Sequence, residues 1–328
     1  MAVKAFQMKL RPSCLLLVLL AALSTASPMF AWGCKGHQTI ALIAERHLAP
    51  EVRQYLEALL RDDPVDAELK RYCGNFNGSL LADSSTWPDD VRNTRKNGAW
   101  HYIDIPRDAS RRPIESFCGD SGCVTRAITD QLAILKDAHA LPGKRAEAIR
   151  YLIHFIGDLH MPLHAATNND EGGNCVPVQY FRRVPNEQDR SYSPNLHSLW
   201  DSTIVERDME GADPREYSDF LEKSFAHDFA RWQNAGIHPD DWAWESFELA
   251  QSVAYGKLHP KDPVEKFVPV HACTDDNNVG ERLLHMHFAV GAKYQDAARR
   301  VIEERLAQAG VRLAIVLNEA VKAAESAS

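Results

Sequence analysis

The stretch "YLIHFIGDLHMPLHAA", residues 151–166, places four metal-favouring side chains, His154, Asp158, His160 and His164, in an apolar frame. Apolar residues recur at helical spacing back to Arg145, and Pro162 stops the run, so a buried helix is predicted over 145–160. An unpaired buried charge is costly enough that the group usually neutralises instead. The carboxylate and imidazoles of this helix therefore need partners within the protein or a metal ion. His154 and Asp158, four apart, share one helix face about 6 Å apart along the axis, within reach of a single cation. His160 points away from them and is read as a polar histidine outside the ligand set. His164 follows Pro162, where the turning chain can face back into the same cavity.

"NLHSLWD" (195–201) repeats the device, with His197 and Asp201 four apart on a second predicted helix. One such pair is ordinary; two, both embedded in apolar sequence, point to metal binding. Upstream, "TWPDDVR" (86–92) offers Asp89 or Asp90, "AWHYIDIP" (99–106) offers His101 and Asp104, and "WGCKGH" (32–37) offers His37.

The chain opens with Lys4, Lys9 and Arg11, then "LLLVLLAAL" (15–23), then small residues ending at Ala31. This reads as a secretory signal over 1–31, with a cut near Ala26 as the alternative. A new α-amino group on Trp32 would have a pKa of about 8 and could join its own carbonyl as a metal chelate. No later segment is long and apolar enough to span a membrane. No linker, repeat or composition break divides 32–328, which is read as a single domain. The formal net charge is −8, and removing the three leader cations makes it more negative still. Proteins that bind polyanions are normally basic. A nucleic-acid enzyme of this composition would need local cations, for which bound metal ions are the source.

Six cysteines remain once Cys14 leaves with the signal, an even number that suggests disulfides in an exported chain. Cys118 and Cys123 can close the turn-rich "CGDSGC". For the other four, Cys34–Cys73 and Cys175–Cys273 are chosen among three possible pairings. Thiolate–zinc ligation is disfavoured because no paired CxxC spacing occurs. Asn77 begins a glycosylation sequon.

Further helices are predicted from Gly36, from Pro50, and over 193–207, 213–233 and 240–258. Residues 280–325 read as one very long helix or two stacked ones, interrupted by Gly291 and Gly310. The strand-like "CVPVQYF" (175–181) is assigned to a short hairpin whose loop, 182–194, carries Arg182, Arg183 and Arg190 as solvated residues. The fold class is all-α, a mainly helical single domain with a short β-hairpin.

The order W-x4-H, W-x-D-x2-R, H-[FY]-I-D, H-F-I-G-D-x5-H, G-G-N and N-L-H-x2-W-D resembles the secreted trinuclear-zinc nucleases of the mung bean nuclease type, single-strand nucleases and 3′-nucleotidases. The resemblance runs from Trp32 to about Glu319. It implies a phospholipase C/nuclease-like fold and three Zn2+ per chain. Trp32, through its amino nitrogen and carbonyl, and His37 look like ligands of one zinc. Asp89, His101 and His154 look like ligands of a second, with Asp158 bridging these two. His164, His197 and Asp201 look like the third site. Arg92 matches an arginine that steadies charge on the phosphate, Tyr102 and Asp104 match positions near a nucleobase pocket, and Asn174 lies in the matching G-G-N loop.

The implied reaction is attack of a hydroxide shared by two zincs on phosphorus, with Asp89, Arg92 and Asp158 at its centre. The implied substrates are single-stranded DNA and RNA and 3′-nucleotides, cut to 5′-products by a monomer outside the cytoplasm, extracellular or periplasmic. A zinc phospholipase C is the main rival. Its relatives have a longer gap between the terminal tryptophan and the first histidine, and Glu where this chain has Asp201. A non-catalytic zinc-binding protein is the other rival, and nothing is missing from the ligand set to favour it.

Overall fold

The computed structural model describes residues 32–76, 78–184, 194–258 and 288–326. The expected signal (1–31), the sequon residue Asn77, Arg190 and Cys273 lie outside the described residues. The fold is mostly helical and centred on helix Pro142–His160, in which every residue from Ala148 onward is buried. A helix buried on all sides must be surrounded. The helices packed around it are Cys34–His47, Pro50–Asp62, Val124–Lys136, Pro239–Leu249 and Ala292–Ser326. Proline stands in the first turn of the helices beginning at Pro50, Pro142, Pro214 and Pro239, where its missing N–H costs nothing. Pro162 lies just past the central helix and opens a short 3-10 turn, Pro162–His164.

The C-terminal segment is one unbroken helix, Ala292–Ser326, of 35 residues, roughly 50 Å long. Gly291 precedes it. Gly310 lies inside it at the crossing with helix Cys34–His47. A Cβ at Gly310 would sit 2.5 Å from the Cβ of Ile43 and 3.0 Å from the Ile40 carbonyl oxygen. The glycine thus permits the close approach and does not break the helix.

His160 belongs to a buried polar knot away from the metal-type residues. Its Nδ1–H donates to the Ile156 carbonyl at 2.7 Å, and Arg312 Nη1 donates to its Nε2 at 3.0 Å. Arg312 and Arg305 both reach Glu245, and the Arg305 Nε–H also donates to the His160 carbonyl. These bonds fasten the end of the central helix to the C-terminal helix.

The helix expected over 193–207 runs over 196–208, capped by the Asn195 side chain, which accepts the Ser198 N–H at 2.7 Å. Its middle, Leu199–Thr203, widens to π geometry. The 213–233 segment is two helices, Pro214–Phe225 and Phe229–Asn234. Helices Leu80–Ser84, Trp87–Arg95 and Val124–Lys136 form where no helix was predicted. Strand Val178–Tyr180 forms as expected, but its ladder partner is Phe288–Val290, paired in parallel with Val178 opposite Phe288. Both strands bury their first and third residues and so share one apolar face. The expected antiparallel return persists as two single bridges, Pro177–Asn195 and Tyr180–Arg183.

Disulfides Cys34–Cys73 and Cys118–Cys123 are present. Cys175 is also disulfide-bonded; its expected partner Cys273 is outside the described residues. Among the described residues no helix is long and apolar enough to cross a membrane.

Replacing Gly310 by Ala tests the helix crossing. Helix propensity alone would favour Ala by about 1 kcal/mol, whereas overpacking a core contact costs about 1–3 kcal/mol. Denaturant unfolding should show net destabilisation; an unchanged or higher midpoint would show that the crossing tolerates a Cβ.

Candidate metal centre

Six segments deliver the site. The central helix contributes His154 and Asp158, helix Cys34–His47 contributes His37, and the first turn of helix Trp87–Arg95 contributes Asp89. The 3-10 turn Gly98–His101 supplies His101, the turn after Pro162 supplies His164, and the 196–208 helix supplies His197 and Asp201. All eight side chains are buried. Three groupings have ligand atoms within 4.8 Å of one another: His37, Asp89 and His154; His101, His154 and Asp158; His164, His197 and Asp201.

Asp158 stands between the first two. Its Oδ1 lies 3.3 Å from His37 Nε2, while its Oδ2 lies 3.1 Å from His101 Nδ1 and 3.3 Å from His154 Nε2. Asp89 Oδ1 is 3.6 Å from both His101 Nδ1 and His154 Nε2. Asp90, the other possibility in that segment, faces elsewhere: it accepts the Tyr72 N–H at 2.7 Å and lies 3.7 Å from Arg71. The structure thus brings Asp89 into the cluster and leaves Asp90 outside.

Backbone carbonyls fix the imidazoles. Nδ1–H of His154 donates to Ser85 O at 2.7 Å, that of His164 to His101 O at 2.7 Å, and that of His197 to Gly172 O at 2.9 Å. Each bond leaves the Nε2 lone pair of its ring for the cavity, the usual way a ligand histidine is oriented. His164 and His197 accordingly bring their Nε2 atoms within 3.3 Å of each other.

Electrostatics shows what the cluster lacks. Burial pushes the Asp158 and Asp201 carboxyls well above the usual carboxylate range, and burial, with the nearby Asp158 charge, raises Asp89 to about 8. Burial also holds His101 and His164 well below the usual imidazole value and lowers His154. Acids and bases alike are driven toward neutrality. One oxygen in each of Asp89, Asp158 and Asp201 is buried without a hydrogen-bond partner among the described residues. Divalent cations would return the carboxyls to their ionised form, give their unpartnered oxygens a partner and keep the imidazoles neutral. Donors this rich in imidazole suit zinc and its transition-metal neighbours better than magnesium or calcium.

Two glycines make room. A Cβ at Gly157, between His154 and Asp158, would lie 2.9 Å from His37 Nδ1 and 3.0 Å from its Cε1. A Cβ at Gly36 would lie 2.9 Å from the Cβ of Trp32. Trp32 is fully buried, and Gly33 N–H donates to the Asp201 carbonyl at 2.8 Å, so the Trp32 segment is fastened beside the third grouping.

A cavity of about 570 Å³ opens onto His101, His164 and His197. Arg92, Asn93 and Lys96 line it from the end of their helix, as do Tyr102, Asp104, Glu171 and Asn174. Arg92 Nη1 lies 3.8 Å from Asp89 Oδ1. Tyr102 is 41% exposed, offering a ring face. Burial, with Asp170 and Glu171 nearby, raises Asp104 to about 6. Asn174 donates to the Glu171 carbonyl at 2.8 Å, and its buried Oδ1 has no partner among the described residues. Its loop needs Gly172, at φ 60°, because a Cβ there would meet the Leu163 carbonyl oxygen at 2.6 Å.

The geometry therefore brings together His37, Asp89, His101, His154, Asp158, His164, His197 and Asp201, with Trp32 adjacent and Arg92, Tyr102, Asp104 and Asn174 around the opening. The sequence did not single out Gly157, Lys96, Glu171 or the orienting carbonyls. Only Gly157 carried a signal, a glycine inside a strongly apolar helix, which marks close approach.

The family described as S1/P1 nuclease matches residues 32–322. The chain is similar to Endonuclease 4 of Arabidopsis thaliana, 27% identical over 311 residues, 88% of each chain. It is similar to Nuclease S1 of Aspergillus oryzae, 27% identical over 308 residues, 91% of this chain and 94% of the relative. It is also similar to Nuclease P1 of Penicillium citrinum, 31% identical over 191 residues, 55% of this chain and 60% of the relative.

Gly157→Ala should displace the His37 ring. The expected outcome is a lower bound-metal content by elemental analysis and a lower thermal midpoint, despite alanine's better helix propensity. Unchanged metal content would show that His37 is not held by this clearance.

Proposed function

The chain belongs to the S1/P1 nuclease family, and we propose that this endonuclease is an exported three-zinc enzyme. It would cut single-stranded DNA and RNA to 5′-nucleotides and remove phosphate from 3′-nucleotides. The observation that carries this reading is the division of Asp158, with one oxygen toward His37 and the other toward His101 and His154. A carboxylate so divided is suited to bridging two cations. On this reading Trp32, His37 and Asp158 would hold one zinc, Asp89, His101, His154 and Asp158 a second, and His164, His197 and Asp201 a third. Bound there, zinc would supply positive charge for the phosphate and an activated water as nucleophile.

The chain's own residues would do the rest. Arg92, beside Asp89 and on the cavity, can give a charge-assisted bond to the phosphate oxygens as negative charge grows. Tyr102 can stack an unpaired base, while Asp104 and Asn174 present polar groups to its edge. Because the ligand set is buried, a duplex, whose bases stay paired and stacked, fits poorly. The family match favours the nuclease over the phospholipase and non-catalytic readings. Removal of 1–31, a single mature domain over 32–328 and a monomeric state complete the proposal. Disulfides Cys34–Cys73 and Cys118–Cys123, with the bonded Cys175, fit an exported protein.

Hydrolysis of single-stranded DNA and RNA should exceed that of duplex of the same sequence, yield 5′-phosphate ends, and stop on chelation. Tyr102→Ala should weaken binding by about 1–3 kcal/mol. Equal rates on duplex, 3′-phosphate products, or full turnover by protein shown to be metal-free would each refute the reading.

The proposed role of Trp32 is tested by the start of the chain. An amide nitrogen has no basic lone pair, so protein beginning with Met before Trp32 lacks that ligand. Elemental analysis should find about three zincs in protein that starts at Trp32 and about two in the Met-extended form. Equal zinc content would remove the chain terminus from the ligand set.

A further inference from the structure

Residues 100–103 carry the proposed ligand His101 and the open ring of Tyr102, and they are held from two sides. On one side is the turn after Pro162: the His164 Nδ1–H donates to the His101 carbonyl at 2.7 Å, and the Ile103 N–H donates to the His164 carbonyl at 2.8 Å. On the other side is the loop 118–123, closed by the Cys118–Cys123 disulfide, which has no part in the function proposed above beyond fitting export. Within the loop the Gly122 N–H donates to the Gly119 carbonyl at 3.0 Å. The Trp100 Nε1–H donates to the Ser121 carbonyl at 3.1 Å, and the Val124 N–H, next to Cys123, donates to the Tyr102 carbonyl at 3.0 Å. The fit is close: Gly122 has φ 96°, and a Cβ there would lie 3.0 Å from Trp100 Nε1 and 3.1 Å from its Cδ1.

These contacts bear on Tyr102. It lines the cavity and is well exposed, so its position has to come from the main chain around it rather than from side chains packed over the ring. Trp100 anchors that main chain to the central helix, edge to face with Tyr151 at 5.9 Å and with Phe155 at 6.5 Å. The tryptophan is thus wedged between the central helix and the disulfide loop, and the loop bonds its segment at residues 100 and 102. The crosslink removes conformations in which the Ser121 carbonyl drifts away from Trp100. His101 has supports of its own: its carbonyl accepts from His164, and its ring meets Phe155 edge to face at 5.1 Å. The loop's influence therefore falls on Tyr102 and spares the ligand beside it.

We infer that the disulfide-closed loop 118–123 is a positioning element for base binding: through its bonds to Trp100 and Tyr102 it holds the Tyr102 ring at the cavity, ready to stack. The inference rests on the nuclease reading above. Trp100, Ser121 and Val124 are positioning residues, acting through Tyr102 and not on the phosphate. Base binding then depends on the Cys118–Cys123 disulfide, while metal binding does not.

The test compares wild type with the double variant Cys118→Ser/Cys123→Ser, each alone and combined with Tyr102→Ala, as mature protein with zinc measured by elemental analysis. Substrates are adenosine 3′-monophosphate and its abasic analogue, which carries hydrogen in place of adenine at C1′. Opening the loop should raise KM for the adenosine substrate about fivefold or more, with kcat and zinc content kept, because a misplaced ring loses its stacking. KM for the abasic analogue should not change, and in the Tyr102→Ala background the loop variant should add nothing. Trp100→Phe, run alongside, keeps the disulfide and the ring packing and removes only the bond to Ser121. It should raise KM for the adenosine substrate by a smaller factor and leave the analogue alone, which keeps the inference testable where the cysteine variant does not fold. An unchanged KM, an equal rise for both substrates, a loss of zinc, or a rise that persists without the Tyr102 ring would overturn the inference. A wild type that hydrolyses neither substrate would remove the underlying nuclease reading and the inference with it, a result distinct from the other four.

Discussion

Three aspartates and five histidines share one buried region of a helical protein, and burial drives six of them toward neutrality. Burial raises Asp89, Asp158 and Asp201 and lowers His101, His154 and His164. Each of the three carboxylates leaves one oxygen without a hydrogen bond among the described residues. A core so built stores a need for cations. The surrounding structure answers that need by fixing directions: carbonyls of Ser85, His101 and Gly172 orient three rings, and Gly157 lets the His37 ring lie against the central helix. Unpaired carboxylates at this depth would be too costly to keep unless positive charge came from elsewhere.

The parts of this design legible in the sequence were those with short-range periodicity. The central helix, both H-x-x-x-D pairs and the stop at Pro162 follow from spacing, and the structure places His154 with Asp158 and His197 with Asp201 accordingly. What stayed hidden depends on contacts between distant segments. Strand Val178–Tyr180 was readable, but its parallel partner more than a hundred residues on was not, because pairing follows a shared buried face and leaves no local mark. The choice between Asp89 and Asp90 rested on motif alignment; spatially it is set by Tyr72 and Arg71, which engage Asp90 and leave Asp89 to the cluster. Gly310 read as an interruption because glycine weakens an isolated helix, yet here the Ile43 side chain occupies the space a Cβ would fill.

The π turn Leu199–Thr203 shows how a local irregularity serves the site. Its central residue Asp201 has two tasks, presenting its carboxylate toward His164 and His197 and its carbonyl to Gly33 N–H. The wider turn changes which backbone groups are engaged within the helix, and such turns occur preferentially at functional sites. Through that one residue the third metal grouping is mechanically joined to the Trp32 segment.

Charge bears on where the proposed selectivity would reside. The chain carries a formal net charge of −8, so its surface as a whole does not attract a polyanion, and long-range steering of nucleic acid is weak or repulsive. Attraction must act at short range, where Arg92 and Lys96 line the opening and cations held by the buried donors would face the phosphate. On the proposed function, such a short-range trap would reward only strands that can bring a phosphate down to the cavity floor while an unpaired base finds Tyr102. Duplex regions, whose bases stay engaged with each other, would gain little from it. On that reading the acidic composition would work with the recessed cluster: it would remove the non-specific attraction that otherwise holds duplex and single strand alike, and leave discrimination to shape and stacking.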